Sequence, residues 1–302
     1  MGEILVGTSS WTDKSLIESG KFYPPAVKTA EERLRYYAGE FPVVQVDSAW
    51  YALPSEGTAR LWVERTPARF VFDIKLFRLF TRHQTPLTAL PADLRRALPE
   101  PAQQKALLYF DDVPPELRAE LWRRYTAAVQ PLHEAGKLGT VLIQMAPWIA
   151  PGAKATAHLE HCKAQLGALP AAVEFRNAGW FTTAQRAATL DFLAAHDLTH
   201  VVVDEPQGFK NSVPLVPAVT SPRLGYLRLH GRNRATWDRK DLASSADRFN
   251  YDYPESELRE FVPIARQLAE RAAQVHVMFN NNYQDQSQRN ARQLGQLLLE
   301  IA

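Results

Sequence analysis

Short apolar runs alternate with longer stretches of helical periodicity from one end of the chain to the other. The runs fall at 4–9, 43–49, 70–75, 140–144, 172–176, 200–204, 224–230 and 274–280, each bounded by turn residues or helical sequence. Helical spacing follows Thr29 and recurs at about 56–66, 115–135, 152–167, 183–196, 255–272 and 285–300. Thr29 with Glu32 three residues on is a capping box, which satisfies the orphan N–H groups at a helix start. Strands that alternate with helices build parallel βα units, and eight of them close a barrel, so the pattern predicts an α/β fold of the TIM (β/α)₈ type. A chain of 302 residues, 46% of them hydrophobic, suits a single such domain over 1–302; barrels of this kind run to about 250 residues. Two connections depart from the pattern. Residues 77–114, after strand three, are rich in proline and leucine and predict an ordered insertion at the catalytic end of the barrel, where it could serve as a lid. Residues 206–222 show no clear helix.

Successive strand residues face opposite sides, so each run divides into two sets. Gln45 and Asp47 oppose Val44 and Val46, and Asp73 and Lys75 oppose Phe72 and Ile74. In the same way Glu174 and Arg176 oppose Val173 and Phe175; Tyr226, Arg228 and His230 oppose Leu227 and Leu229; His276, Met278 and Asn280 oppose Val275, Val277 and Phe279. The apolar set must pack on the helices, which turns the polar set toward the barrel axis. An isolated buried charge is costly unless it is paired. Asp47, Asp73, Glu174 and Asp204 are therefore expected to meet Lys75, Arg176, Arg228 and His230. Such a network can be a structural polar core, but most of these residues end their strands, where active sites of this fold are built.

The chemistry expected there is general acid/base catalysis on a small anion, such as a phosphorylated sugar or a nucleotide-like molecule. Glu174 and Asp204 are the candidate proton carriers, Lys75 would stabilise developing negative charge, and His230 would orient or relay. Arg176, Arg228 and Arg232 would hold the anion, with Arg228-x-His230-x-Arg232 on one face beside Gly231. Asp47 and Asn280 would complete the substrate contacts. Aromatic residues follow several strands (Trp11, Trp50, Tyr51, Trp148, Trp180 and Trp237), and Trp11, Tyr51 and Trp237 are the ones expected at a ligand. Asp47, Glu174, Asp204 and His230 also resemble a carboxylate–imidazole set for a divalent metal, although the neighbouring cations oppose one, and no cofactor is otherwise expected. His158, His161 and Cys162 have a helical spacing that could hold zinc, but an outer helix carries such residues by chance. Gly136-Lys137-Leu138-Gly139 precedes its strand and reads as a helix C-cap rather than a phosphate loop.

The balance of 35 basic and 33 acidic side chains, formally +2, argues against a general nucleic-acid or membrane-surface binder and leaves only a local positive field. Non-catalytic binding of nucleic acid or a phosphorylated metabolite stands as the alternative function, and a metal-dependent hydrolase or isomerase as the other enzymatic one. One cysteine, Cys162, cannot form an intrachain disulfide, and the first residues lack the pattern of a secretion signal, which together point to the reducing cytoplasm. No apolar run reaches the roughly 18 residues a membrane span needs.

The motifs Gly7-Thr8-Ser9-Ser10-Trp11, Phe22-Tyr23-Pro24, Asp47-Ser48-Ala49-Trp50-Tyr51, Phe72-Asp73-Ile74-Lys75, Val173-Glu174-Phe175-Arg176, Arg228-Leu229-His230-Gly231-Arg232 and Phe279-Asn280-Asn281 lie along nearly the whole chain. Together they resemble the DUF72, or YecE-like, family. The resemblance implies a TIM-like barrel and carries no settled activity. The chain departs from the family pattern at Gln45-Val46-Asp47, where the family tends to show Glu-x-Asn, and at Asn177, where it often has histidine.

Overall fold

A computed structural model describes residues 1–209, 212–239, 241–242 and 245–300. The expected barrel is present. Its strands are β1 (Glu3–Ser9), β2 (Val43–Val46), β3 (Val71–Lys75), β4 (Leu138–Gln144), β5 (Ala171–Glu174), β6 (Leu198–Asp204), β7 (Leu224–Leu229) and β8 (Gln274–Phe279). All pair in parallel, each with its sequence neighbours, and the ring closes through β1, which takes a six-residue register on β8 and only Thr8↔Val44 and Ser9↔Gln45 on β2. Outside lie the helices Ala30–Glu40, Glu56–Glu64, Pro115–Glu134, Ala153–Leu166, Arg186–Ala195, Glu255–Ala269 and Gln286–Glu300. Both halves of the Thr29–Glu32 capping box form. The C-cap at Gly136 forms as well: φ is +67°, and the Lys137 amide reaches back to the Leu132 carbonyl at 2.8 Å. Four strands end sooner than the hydrophobic pattern suggested, β8 by one residue at Phe279. β2 stops at Val46, so Asp47 opens the short helix Ser48–Tyr51, while β5 and β7 stop at Glu174 and Leu229.

The insertion after β3 is ordered around its own apolar residues. Thr85–Pro86 pairs antiparallel with Leu107–Leu108, and Leu79, Phe80, Leu90, Leu94, Leu98 and Leu108 are buried. Phe80 stacks on Trp122 of the helix Pro115–Glu134 with centroids 3.7 Å apart, and Arg124 of that helix holds Asp93. This segment is therefore a packed side wall, of which Arg78 and His83 stand at the barrel mouth beside Trp50. The connection from β6 to β7 contains no helix among its described residues, as its sequence suggested.

The main core lies between strands and helices. A second, separate apolar cluster, made of Leu5, Val43, Leu142, Ala172, Val201, Val203, Leu224, Tyr226 and Met278, fills the inside of the ring. Its membership verifies the alternation on β2, β5, β7 and β8 and corrects it on β6. There Val201 and Val203 point inward, so His200 and Asp204 point out. No helix follows β6 among the described residues, so beside the helix Arg186–Ala195 its outer face meets the connection to β7, whose Val213 and Val216 join the main core and whose Val216 carbonyl lies 3.1 Å from His200 Nε2. Nearer the N-terminal ends of the strands, fully buried Asp73 pairs with His276 Nδ1 at 2.9 Å rather than with a lysine or arginine. That pair fills the space beside Gly139, where a Cβ would sit 2.4 Å from Asp73 Oδ1, so only glycine fits.

Candidate functional site at the C-terminal mouth of the barrel

Four strands converge on Glu174, the last residue of β5, which has no exposed surface. Arg228 Nη1 donates to Glu174 Oε2 at 2.6 Å and to Gln144 Oε1 at 3.0 Å, while its Nη2 donates to Asn280 Oδ1 at 3.0 Å. With the Asn280 oxygen so engaged, its Nδ2 donates to His230 Nδ1 at 2.9 Å. That bond fixes the imidazole with its proton on Nε2, which donates to Glu174 Oε1 at 3.1 Å. Burial lowers His230 to about 3 despite the pull of Glu174, so the ring is neutral at physiological pH. Burial pushes the Glu174 carboxyl up, but Arg228, His230 and Arg176 outweigh it and hold the group well below the usual carboxylate range. Glu174 is thus a fixed negative charge with its lone pairs in use.

Arg176 carries the network toward solvent. Its Nη1 lies 3.2 Å from Glu174 Oε1 and 2.8 Å from Glu205 Oε2, and its guanidinium sits over the Trp237 ring at 5.4 Å. With a side chain 16% exposed, it reaches further out than Arg228 at 1%. Glu205 was not singled out in the sequence. It follows β6, in phase with the inward Val201 and Val203, and the Val213 amide donates to its Oε1 at 2.6 Å. Burial raises it to about 7, which Arg176 only partly opposes. Across the mouth, Lys75 lies 3.8 Å from Asp47 and 5.2 Å from the Trp50 ring centre. Burial lowers its ammonium to about 8, against the upward pull of Asp47. Asp47 also accepts from Gln45 and lies 3.9 Å from Arg228 Nη2. Arg78 also lies over the Trp50 ring, 4.2 Å from its centre, and burial together with Lys75, Arg78 and Arg176 lowers His83 to about 3. Several donors here have no acceptor among the described residues: Trp50 Nε1, Trp237 Nε1 and Arg78 Nε.

The structure separates other expected site residues from this mouth. Gly231, at φ +86°, turns the chain after His230, so Arg232 does not continue the face of Arg228 and His230. Its guanidinium is taken by Asp204 at 2.9 Å and Glu260 at 3.0 Å, with Glu257 at 3.6 Å. Asp204, on the outer side of β6, also accepts from Tyr253 at 2.7 Å; burial raises it, and Arg232 pulls against that rise. Trp11 is buried against Trp62 and Phe72 in the main core. Tyr51 stays at the mouth, edge-on to Trp50 and 57% exposed. His158, on the helix Ala153–Leu166, bonds the Phe80 carbonyl at 2.7 Å, and Cys162 Sγ lies 3.7 Å from the same oxygen, its thiol pushed by burial up to about 12. Among the described residues no three His, Cys, Asp or Glu side chains form a metal-holding group. None of the described helices is long and apolar enough to cross a membrane.

A closed ring of eight parallel strands, with its polar cluster at their C-terminal ends, defines a TIM-type α/β barrel. Residues 5–301 match the family described as Protein of unknown function DUF72, and the chain belongs to that family. It is 30% identical over 298 residues to the UPF0759 protein YunF of Bacillus subtilis (strain 168), covering 98% of this chain and 94% of that one. Among solved structures it is similar to a DUF72 family protein from Enterococcus faecalis V583, with TM-score 0.79, 26% identity and coverage of 98% and 95% of the two chains. A DUF72 family protein from Thermotoga maritima MSB8 aligns with TM-score 0.75 and 27% identity over 98% and 99% of the two chains.

Proposed function

We propose that this protein is an enzyme that performs general acid/base chemistry on a small anionic substrate, a phosphorylated sugar or nucleotide-like molecule, at the mouth of the barrel. One observation carries the reading. Two buried groups at the mouth, Glu205 beside Arg176 at about 7 and Lys75 beside Asp47 at about 8, are brought by burial from opposite directions toward neutral pH. A proton carrier works best when its pKa lies near the operating pH, and such shifts gather at functional sites. In this reading Glu205 and Lys75 exchange protons with the substrate, and Arg176 holds its anionic group. Trp50 and Trp237 supply N–H donors, and Tyr51 flanks the entrance. Glu174, His230, Arg228, Asn280 and Asp47 orient Arg176 and Lys75. Asp204 and Arg232 brace the β6 and β7 ends from outside. A surplus of donors without acceptors suits an acceptor-rich ligand such as a phosphate.

The test is a thermal-shift screen of phosphorylated sugars and nucleotides on wild type and Arg176→Met, followed by turnover of each compound that binds. A ligand that binds only the native state raises the melting temperature. The expected result is a shift in wild type that vanishes in Arg176→Met, with turnover reduced about 100-fold or more by Glu205→Gln and by Lys75→Met. Binding without turnover would replace the enzyme by a non-catalytic binder. Turnover that is abolished by a chelator and restored by a divalent ion would replace it by a metal-dependent hydrolase or isomerase.

A further inference from the structure

A cavity of about 910 Å³ lies beside the barrel mouth, between the insertion after β3, the helix Pro115–Glu134 and the helix Ala153–Leu166. It is separate from the network around Glu174, none of whose residues lines it. Trp148 marks the border: it is 55% exposed, and its other neighbour is His83, 5.7 Å away at the mouth. The walls are largely apolar, with Phe110, Trp122 and Met145 among them.

Its charge is one-sided. Arg82, Arg118 and Lys154 line it, and no carboxylate does. The guanidiniums of Arg82 and Arg118 lie 5.0 and 4.3 Å from the Phe110 ring centre. Their shared counter-ion is Asp111, 3.2 and 3.5 Å away, whose side chain is 75% exposed, so one carboxylate serves two cations. Lys154 has no ion-pair partner among the described residues. His161 also lines the cavity, its pKa lowered by burial, and adds a flat neutral ring nearly parallel to His158 at 27°. A cleft with aromatic walls and more cations than counter-ions favours a ligand that is both flat and negative.

The geometry points to a second binding site, for an aromatic organic anion. Its ring system packs on the exposed face of Trp148 over a floor to which Phe110 and Trp122 contribute edges, and its acid group meets Arg118, Arg82 and Lys154. This inference does not depend on chemistry at the barrel mouth.

Anilinonaphthalene sulfonate is a suitable probe, and phenylnaphthylamine is its neutral comparator with the same ring skeleton. The folded full-length chain is titrated by fluorescence alongside Ala157→Trp, which fills the cavity from an exposed position of the helix Ala153–Leu166, and Arg118→Met, which keeps the apolar stem. Saturable binding of the sulfonate is expected, weakened about tenfold or more in each variant, a loss typical of removing one charged or packed partner. The neutral comparator is expected to bind at least about tenfold more weakly than the sulfonate to wild type. Arg176→Met, at the mouth, is expected to leave the titration unchanged. Equal binding of the two probes, or sulfonate binding untouched by both cavity variants, would overturn the proposal. Loss of binding in Arg176→Met alone would overturn it in favour of the mouth.

Discussion

Glu174 and Glu205 are buried to the same degree and share the guanidinium of Arg176, yet their carboxyl groups are driven in opposite directions. Glu174 also has Arg228 and the Nε2–H of His230, and their combined pull overcomes desolvation. Glu205 has one cation and one amide, and desolvation wins. Burial alone therefore does not decide the state of an interior carboxylate. The number of donors within reach does, and that divides this barrel into a saturated interior and an undersaturated rim.

Breaking the saturated side has the largest effect. Glu174→Gln leaves the guanidinium of Arg228 buried without its charge partner, and the expected loss is about 3–5 kcal/mol of unfolding free energy, read by denaturant titration. Next comes Glu205. Its pKa is raised above the ordinary value, so the folded state holds the proton more tightly, and the associated stability is present below about pH 4.5 and lost as pH rises through about 7. Glu205→Gln is expected to flatten stability across that window by on the order of 3 kcal/mol, the shift expressed as free energy. Lys75 tests the other sign. Its lowered pKa means the folded state gives up the proton first, so stability rises from about pH 8 toward about 10.5, and Lys75→Met is expected to remove that rise. A pH series of melting curves on the variant would reveal it. Tyr51→Ala should have the smallest effect on stability, within about 0.5 kcal/mol, because the ring is mostly exposed; a larger loss would place the side chain in the fold rather than at the entrance.

The fold was legible because the strand runs are bounded and the apolar faces of β2, β5, β7 and β8 are unambiguous. The polar interior followed from the same alternation, and Glu174, Arg228, His230 and Asn280 do meet. The rule failed where its premise failed. It takes a helix to follow every strand, but none follows β6 among the described residues, and the inward Val201 and Val203 put Glu205 rather than Asp204 in phase with the interior. The signal was present in the missing helical periodicity of 206–222. Arg232 was misplaced for a local reason: Gly231 takes a left-handed conformation that resets the phase of everything after it. Trp11 shows a third limit, since an aromatic residue after a strand can pack inward or line a mouth, and only its neighbours decide. The cavity beside the mouth comes from three segments distant in sequence, and no motif announces it.

The narrow seam between β1 and β2 has a consequence for how the chain is made. Strand β1 is synthesised before the other barrel strands, but only two of its residues register on β2, whereas six register on β8, which ends at Phe279. The first strand synthesised therefore waits for nearly the last before most of its backbone is paired. Closure of the ring therefore depends on a long-range pairing, of the kind that slows folding, and a sheet without it would carry a bare edge.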